Sequence, residues 1–268
     1  MSQLETRRCE LTGLQLVAAQ SSPRYGYRIA KKDYGPLNPR RQPAALSEVD
    51  RGWGRFDTLG GSTVYLGGTL EVAFTEVLSY FRRELGDATN PADSLAKDAA
   101  AVGMSLEAFV AEVDREWRER QHMPLKQLAA IWRHERRSYR LTMPTTGWWI
   151  DLHHPHSLQA LEESIPDTLR AHGFNGATLG TLHSDIRALT VSIATWARIQ
   201  TLDDGSRAHG IRYPSNHGAG TSYAYWLRRV DDGGDTQDEA VRSDNGTLIE
   251  PTTVAFKNAC ERFGRSPH

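Results

Sequence analysis

Five side chains of this 268-residue sequence have types and surroundings suited to chemistry: Arg28, Arg55, Tyr65, Glu76 and Ser215. Three of them fall in one stretch, WGRFDTLGGSTVYLGGTLEVAFTEVL, from Trp53 to Leu78. Arg28 and Arg55 each stand beside an aromatic residue in a segment bordered by loops. A guanidinium there can fork two hydrogen bonds to a phosphate, although a surface ion pair is the more ordinary use of arginine. Tyr65 sits in a short apolar strand between two glycine pairs. Glu76 lies off the apolar stripe of the helix that follows, so its carboxylate is either solvated or turned into a cleft. Ser215 comes at a strand end directly after Pro214. No G-x-S-x-G elbow surrounds it, so hydrogen-bonding support suits it better than covalent attack.

Other chemistries are poorly served. No G-x-G-x-x-G opens a helix and no G-x-x-x-x-G-K-[ST] is present, so both nucleotide-loop motifs are missing. His153, His154 and His156 form an HHPH cluster after a strand, but no H-E-x-x-H and no cysteine accompanies them, which argues against a metal. The acidic run DDGGDTQDEAVRSDN, residues 231–245, lacks the ligand alternation of a calcium loop and reads as a solvated or disordered loop.

The elements that must position these residues can be read from periodicity. Leu70, Ala73, Phe74, Val77, Leu78 and Phe81 form one continuous stripe of a helix that Thr69 can cap and that Gly86 can break. YGYRIA, residues 25–30, predicts a strand carrying Arg28. Residues 34–50 hold Pro36, Pro39 and Pro43 and predict a long loop at the edge of a ligand site. Ser105 caps a helix bearing Leu106, Phe109, Val110, Val113 and Trp117. Pro124 suits the start of a second helix bearing Leu125, Leu128 and Trp132, which together predict a helical hairpin within residues 87–137. Strands follow at 139–143 and 148–152, and a helix begins near Ser157. Ser184 or Asp185 should cap a helix with Ile186, Leu189, Ile193 and Trp196 on one face. Strands at 209–213, 223–227 and 247–250 and a helix at 253–263 complete the chain. The mixture lacks a βαβ rhythm and an internal repeat, and indicates one α+β domain over residues 1–268 with a small mixed sheet at its core.

Composition sets the outer limits. With 39% apolar and 24% charged residues the chain can bury a real core, and a net charge of −1 speaks against a dedicated nucleic-acid surface. No run approaches the roughly 18 apolar residues of a membrane span, and MSQLETRRCELTG lacks a signal-peptide core, so the expected location is the cytoplasm. Cys9 and Cys260, near opposite ends and without metal spacing, are expected to be reduced.

Taken in order, YRIA with Arg28, GRFD with Arg55, TVYL with Tyr65, AFTE with Glu76, DIRALTVSIA, and GIRYPS with Ser215 resemble the RES-domain family, named for an arginine, a glutamate and a serine. The resemblance spans about residues 24–230. The helical segment and the acidic loop are longer than in its compact members, and the proline-rich loop widens the interval from Arg28 to Arg55. It implies a fold similar to that of ADP-ribosyltransferases around an NAD⁺ cleft. It also implies the toxin of a bacterial toxin–antitoxin pair, neutralised by an antitoxin with an Xre-like helix-turn-helix domain. Such toxins degrade NAD⁺ by hydrolysis or phosphorolysis and need no metal; some relatives instead transfer ADP-ribose to proteins, and a nucleotide-binding module without turnover is a further alternative. On this resemblance Glu76 stabilises the oxocarbenium-like state at the ribose. Arg28 and Arg55 clamp the pyrophosphate, Tyr65 packs against the nicotinamide or its ribose, and Ser215 bonds the ribose or orients Glu76. Neither direct nucleic-acid binding nor a membrane partner is expected, and a homodimer is compatible with the reading.

Overall fold

The computed structural model describes residues 4–10, 12–19, 24–50, 52–81, 91–120, 127–217, 220–231 and 241–267. In chain order the first strands are β1 (Leu4–Arg8), β2 (Gln15–Ala19), β3 (Tyr25–Lys31) and β4 (Thr63–Gly67), followed by helix α1 (Leu70–Leu78). Next come α2 (Pro91–Ala101), α3 (Leu106–Glu119), β5 (Gln127–Leu128), α4 (Ala130–His134), β6 (Arg136–Thr142) and β7 (Trp149–Asp151). Four helices follow: α5 (Pro155–Ser164), α6 (Pro166–Ala171), α7 (Leu179–Leu182) and α8 (Arg187–Ile199). The remainder is β8 (Gly210–Pro214), β9 (Thr221–Trp226), α9 (Arg228–Asp231), β10 (Arg242–Ser243), β11 (Thr247–Leu248), α10 (Val254–Arg262) and β12 (Ser266–Pro267). The result is an α+β fold.

One sheet organises it, in the order β1-β2-β7-β8-β9-β4-β3-β6-β10, with β11 also on β6. Every pairing in it is antiparallel except β7 with β8. The period-2 rule of strands explains the two cores. Along β9, Ala224 and Trp226 face a core shared with Leu161 of α5, Leu169 of α6 and Ile193 of α8, while Tyr223 and Tyr225 face a core with Val64, Leu66 and Trp149. A third cluster joins Ile29 of β3 to Ala73, Phe74 and Leu78 of α1 and to Phe256 and Cys260 of α10. Phe74 is fully buried there, and truncating such a ring costs roughly 3–5 kcal/mol.

Thr69 caps α1 as its sequence suggests, accepting from Val72 N at 3.2 Å. Gly67 is required because a Cβ would lie 2.5 Å from Ala73 N, so only glycine lets α1 sit this close to the end of β4. Ser105 likewise accepts from Ala108 N at the start of α3, but α3 packs on α2, which precedes it, so the hairpin joins these two helices and not the Ser105 helix with one starting at Pro124.

Two further local expectations are corrected. Leu128 is not helical: it lies in β5, paired in parallel with β12, and only Trp132 of the expected second helix stands on α4. A pairing partner distant in sequence overrides local periodicity here. Ser184 and Asp185 do not cap α8; the N-cap is Ile186, 40% exposed, and Ser184 Oγ accepts from Ile186 N at 3.1 Å instead. Pro124, Leu125, Gly86 and most of the acidic run 231–245 lie outside the described residues. Among the described residues no helix is long and apolar enough to cross a membrane.

Candidate active site

β3 and β4 share one register pair, Tyr27 with Gly67, and a cavity of about 420 Å³ opens beside them. Its walls carry Arg28, Arg55, Tyr65 and Glu76 together with Arg187, Tyr213, Asn216 and His217. Four of the five residues singled out by the sequence therefore line one space. The fifth, Ser215, reaches it through Glu76: Ser215 Oγ donates to Glu76 Oε1 at 2.5 Å.

Each side chain is held by a local device. Ser215 follows β8, where its N–H bonds Gly220 O at 2.9 Å and its Oγ accepts from His217 N at 3.2 Å. Arg262 of α10 bonds the carbonyl of His217 and braces the same turn. Arg28 donates to Pro36 O at 2.7 Å, so the proline-rich loop touches the site through this guanidinium. Burial lowers the pKa of Arg28 to about 10, and it remains a cation at neutral pH.

The GRFD turn is tied together by Asp57. Its carboxylate accepts from Gly54 N at 2.9 Å, Tyr65 Oη at 2.9 Å and Gln42 Nε2 at 2.6 Å. Burial pushes Asp57 above the usual carboxylate range and these donors oppose it. Tyr65 Oη also accepts from Phe56 N at 2.8 Å, so its hydroxyl is engaged on both sides and the ring is what it presents to the cavity. Gly54 is the only residue type that fits, because a Cβ would stand 2.4 Å from Tyr65 Oη.

Arg55 leaves the same turn toward His183, with Nη1 3.4 Å from His183 Nδ1. Its Nε is buried without a partner among the described residues, as is Nε of Arg187. Desolvation lowers the Arg55 pKa, and the nearby Arg187 charge does the same, while Tyr213 and Glu76 raise it. Among the described residues, Arg28, Arg55 and Arg187 thus bring three guanidinium groups to a cavity with one lining carboxylate, Glu76. The excess suits a ligand carrying two phosphate charges.

The HHPH cluster divides. His154 is the N-cap of α5, its Nδ1 accepting from His156 N at 3.3 Å, and Pro155 takes the first helical position. His153 turns instead to His183, Nε2 to Nε2 at 3.2 Å. Among the described residues no three His, Cys, Asp or Glu side chains gather as a metal would need. Sequence reasoning did not single out Arg187, Tyr213, Asn216, His217, Asp57 or His183. Arg187 and Tyr213 stood inside segments already marked, DIRALTVSIA and GIRYPS, and Asp57 inside GRFD; His183 carried no signal at all.

The RES domain family matches residues 26–162, just over half of the chain. The chain belongs to the RES domain family. The matched range contains Arg28, Arg55, Tyr65 and Glu76, while Ser215 and Arg187 lie beyond it. No curated protein matches this RES protein. Among solved structures it is similar to one described as the M.tuberculosis MbcT-MbcA toxin-antitoxin complex, at 12% identity over 92% of each chain with a TM-score of 0.37.

Proposed function

We propose that this RES protein binds NAD⁺ in the 420 Å³ cavity and cleaves its nicotinamide–ribose bond. One observation carries the reading: the Glu76 carboxylate, held by Ser215, shares a cavity with Arg28, Arg55 and Arg187. The guanidinium groups hold the pyrophosphate, and Glu76 faces the ribose. As the C–N bond breaks, its electron pair leaves with nicotinamide, which departs as a neutral ring and needs no general acid. Positive charge grows at the ribose, where a fixed carboxylate is worth most because it is already oriented. Water or phosphate then bonds to the ribose carbon and releases a proton. The Tyr65 ring and the apolar wall of Ile29, Leu66, Ala73 and Val77 suit a flat aromatic group.

The biological role that goes with this chemistry in the RES resemblance is a toxin, restrained by an antitoxin with an Xre-like helix-turn-helix domain; the same is proposed for this chain. The deciding assay incubates purified protein with NAD⁺, with and without phosphate, and follows free nicotinamide. Release that disappears in Glu76→Gln is the expected result. No release under either condition from folded protein sinks the proposal, and label from NAD⁺ remaining on a macromolecule would point to protein ADP-ribosylation instead.

A further inference from the structure

Two histidines meet beside the cavity without a part in the bond cleavage above. Arg55 Nη1 lies 3.4 Å from His183 Nδ1, and His183 Nε2 lies 3.2 Å from His153 Nε2. The three groups come from separate places: the GRFD turn, the C-cap of α7, and the segment between β7 and α5. A guanidinium only donates, which constrains the tautomers these contacts allow. His183 Nδ1 must therefore accept from Arg55. With both rings neutral, the His183 proton is then on Nε2, facing Nε2 of His153, and the His153 proton is on Nδ1. That nitrogen is buried with no partner among the described residues.

The surroundings favour two neutral rings. Burial, then His183, hold His153 down to about 4, with Asp151 pulling the other way. Burial, then the Arg55 charge, hold His183 below the ordinary imidazole range against a hydrogen bond with Asn216. The other groups that act on Arg55 are Tyr213, Arg187, Glu76 and Asp185. A protonated His183 would set a second donor and a second positive charge against Arg55.

On the NAD⁺-cleaving reading, we infer that His183 is a positioning residue: its neutral Nδ1 aims the Arg55 guanidinium at the phosphates of the ligand, and His153 holds His183 in the Nε2–H tautomer. Because Arg55 Nε has no partner among the described residues, this contact bears directly on how the guanidinium fork is turned.

The test uses two substitutions and one spectrum. His183→Leu keeps the bulk and removes the acceptor, whereas His183→Asn can offer its side-chain oxygen near the position of Nδ1. Loss of an aimed guanidinium should raise KM for NAD⁺ roughly tenfold in His183→Leu with little change in kcat, since ground state and transition state lose the same contact. His183→Asn should return KM to within about threefold of the unsubstituted protein. A KM in His183→Leu equal to the original, or equal effects of Leu and Asn, overturns the inference. Nitrogen-15 NMR of the unsubstituted protein at neutral pH should show His183 protonated on Nε2 alone and His153 on Nδ1 alone. An Nδ1–H or doubly protonated His183 overturns it, and this pattern decides the matter if His183→Leu does not fold. The spectrum needs no NAD⁺, so a wrong tautomer is distinguishable from a failure to release nicotinamide, which would overturn the proposed function and the KM arm together.

Discussion

Ser215 and Glu76 stand 139 positions apart in the chain, and their Oγ and Oε1 atoms are 2.5 Å apart. Sheet register brings them together. Ser222 of β9 pairs with Gly67 at the end of β4 on one side and with Tyr213 near the end of β8 on the other. The chain leaves β4 at Gly67 into α1, which carries Glu76, and leaves β8 at Pro214 into Ser215. Both side chains are delivered to one end of the same strand trio, and neither depends on a long flexible loop.

Ser215→Ala should lower the rate of nicotinamide release about 10- to 100-fold while leaving the protein folded, because a positioned hydrogen bond to a charged acceptor is worth about 1.5–3 kcal/mol. Glu76→Gln should be more severe, and the double variant Glu76→Gln with Ser215→Ala should be scarcely worse than Glu76→Gln alone, since the serine acts through the carboxylate. Measured kcat for the three variants checks this. Additive losses would mean that Ser215 acts on the ligand independently.

Arg187→Gln should raise KM for NAD⁺ roughly tenfold with kcat nearly unchanged, the pattern of a residue that holds the ligand equally before and during reaction. The added dependence on salt in the parent protein should weaken in the variant. Titration of NAD⁺ at two ionic strengths is sufficient, and an unchanged KM would remove Arg187 from the ligand's reach.

Much of the fold was legible from periodicity because local patterns decided it. The stripe from Leu70 to Phe81 is α1 as far as Leu78, with Phe81 in a 3-10 turn after it; Thr69 is the cap, and YGYRIA lies in β3. Leu128 departs from its local pattern because its partner Pro267 in β12 lies near the C-terminal end of the sequence, which no local window can see. The site was legible only in part. Helical geometry placed Glu76 off the apolar face without choosing between solvent and cleft; the RES resemblance pointed to the cleft. Arg187 depends on how α8 is turned against the GRFD turn, and the contact of His183 with His153 joins two loops. Both are products of packing and leave no periodic trace.

Asp57→Ala should destabilise the protein by about 2–4 kcal/mol and damage activity with it. The carboxylate is buried, and its loss strands the Gly54 N–H and the Tyr65 hydroxyl together. Gly54→Ala tests the same turn from the other side, because its Cβ would meet Tyr65 Oη at 2.4 Å and the ring would have to move. Thermal melts combined with nicotinamide release would separate this turn from its neighbours: both variants should lose stability, whereas Ser215→Ala should keep it. Melting temperatures equal to the parent's in both would mean that the turn does not depend on Asp57.

Acid should unfold the protein partly through His153. Its folded pKa is lowered to about 4 by burial and by His183, so below an unfolded value of 6.5 the unfolded chain takes up the proton first. The stability tied to the neutral ring is therefore complete above about pH 6.5 and drains away as the pH falls toward about 4, where the folded ring is protonated as well. The ring is half-buried, so the loss between about pH 7 and about pH 5 should be near 1 kcal/mol, less than full burial would give. His153→Asn has no such proton to bind and should lose correspondingly less over that interval. Urea melts of the two proteins at both pH values measure the difference directly, and parallel losses would show that the histidine pair does not hold His153 neutral.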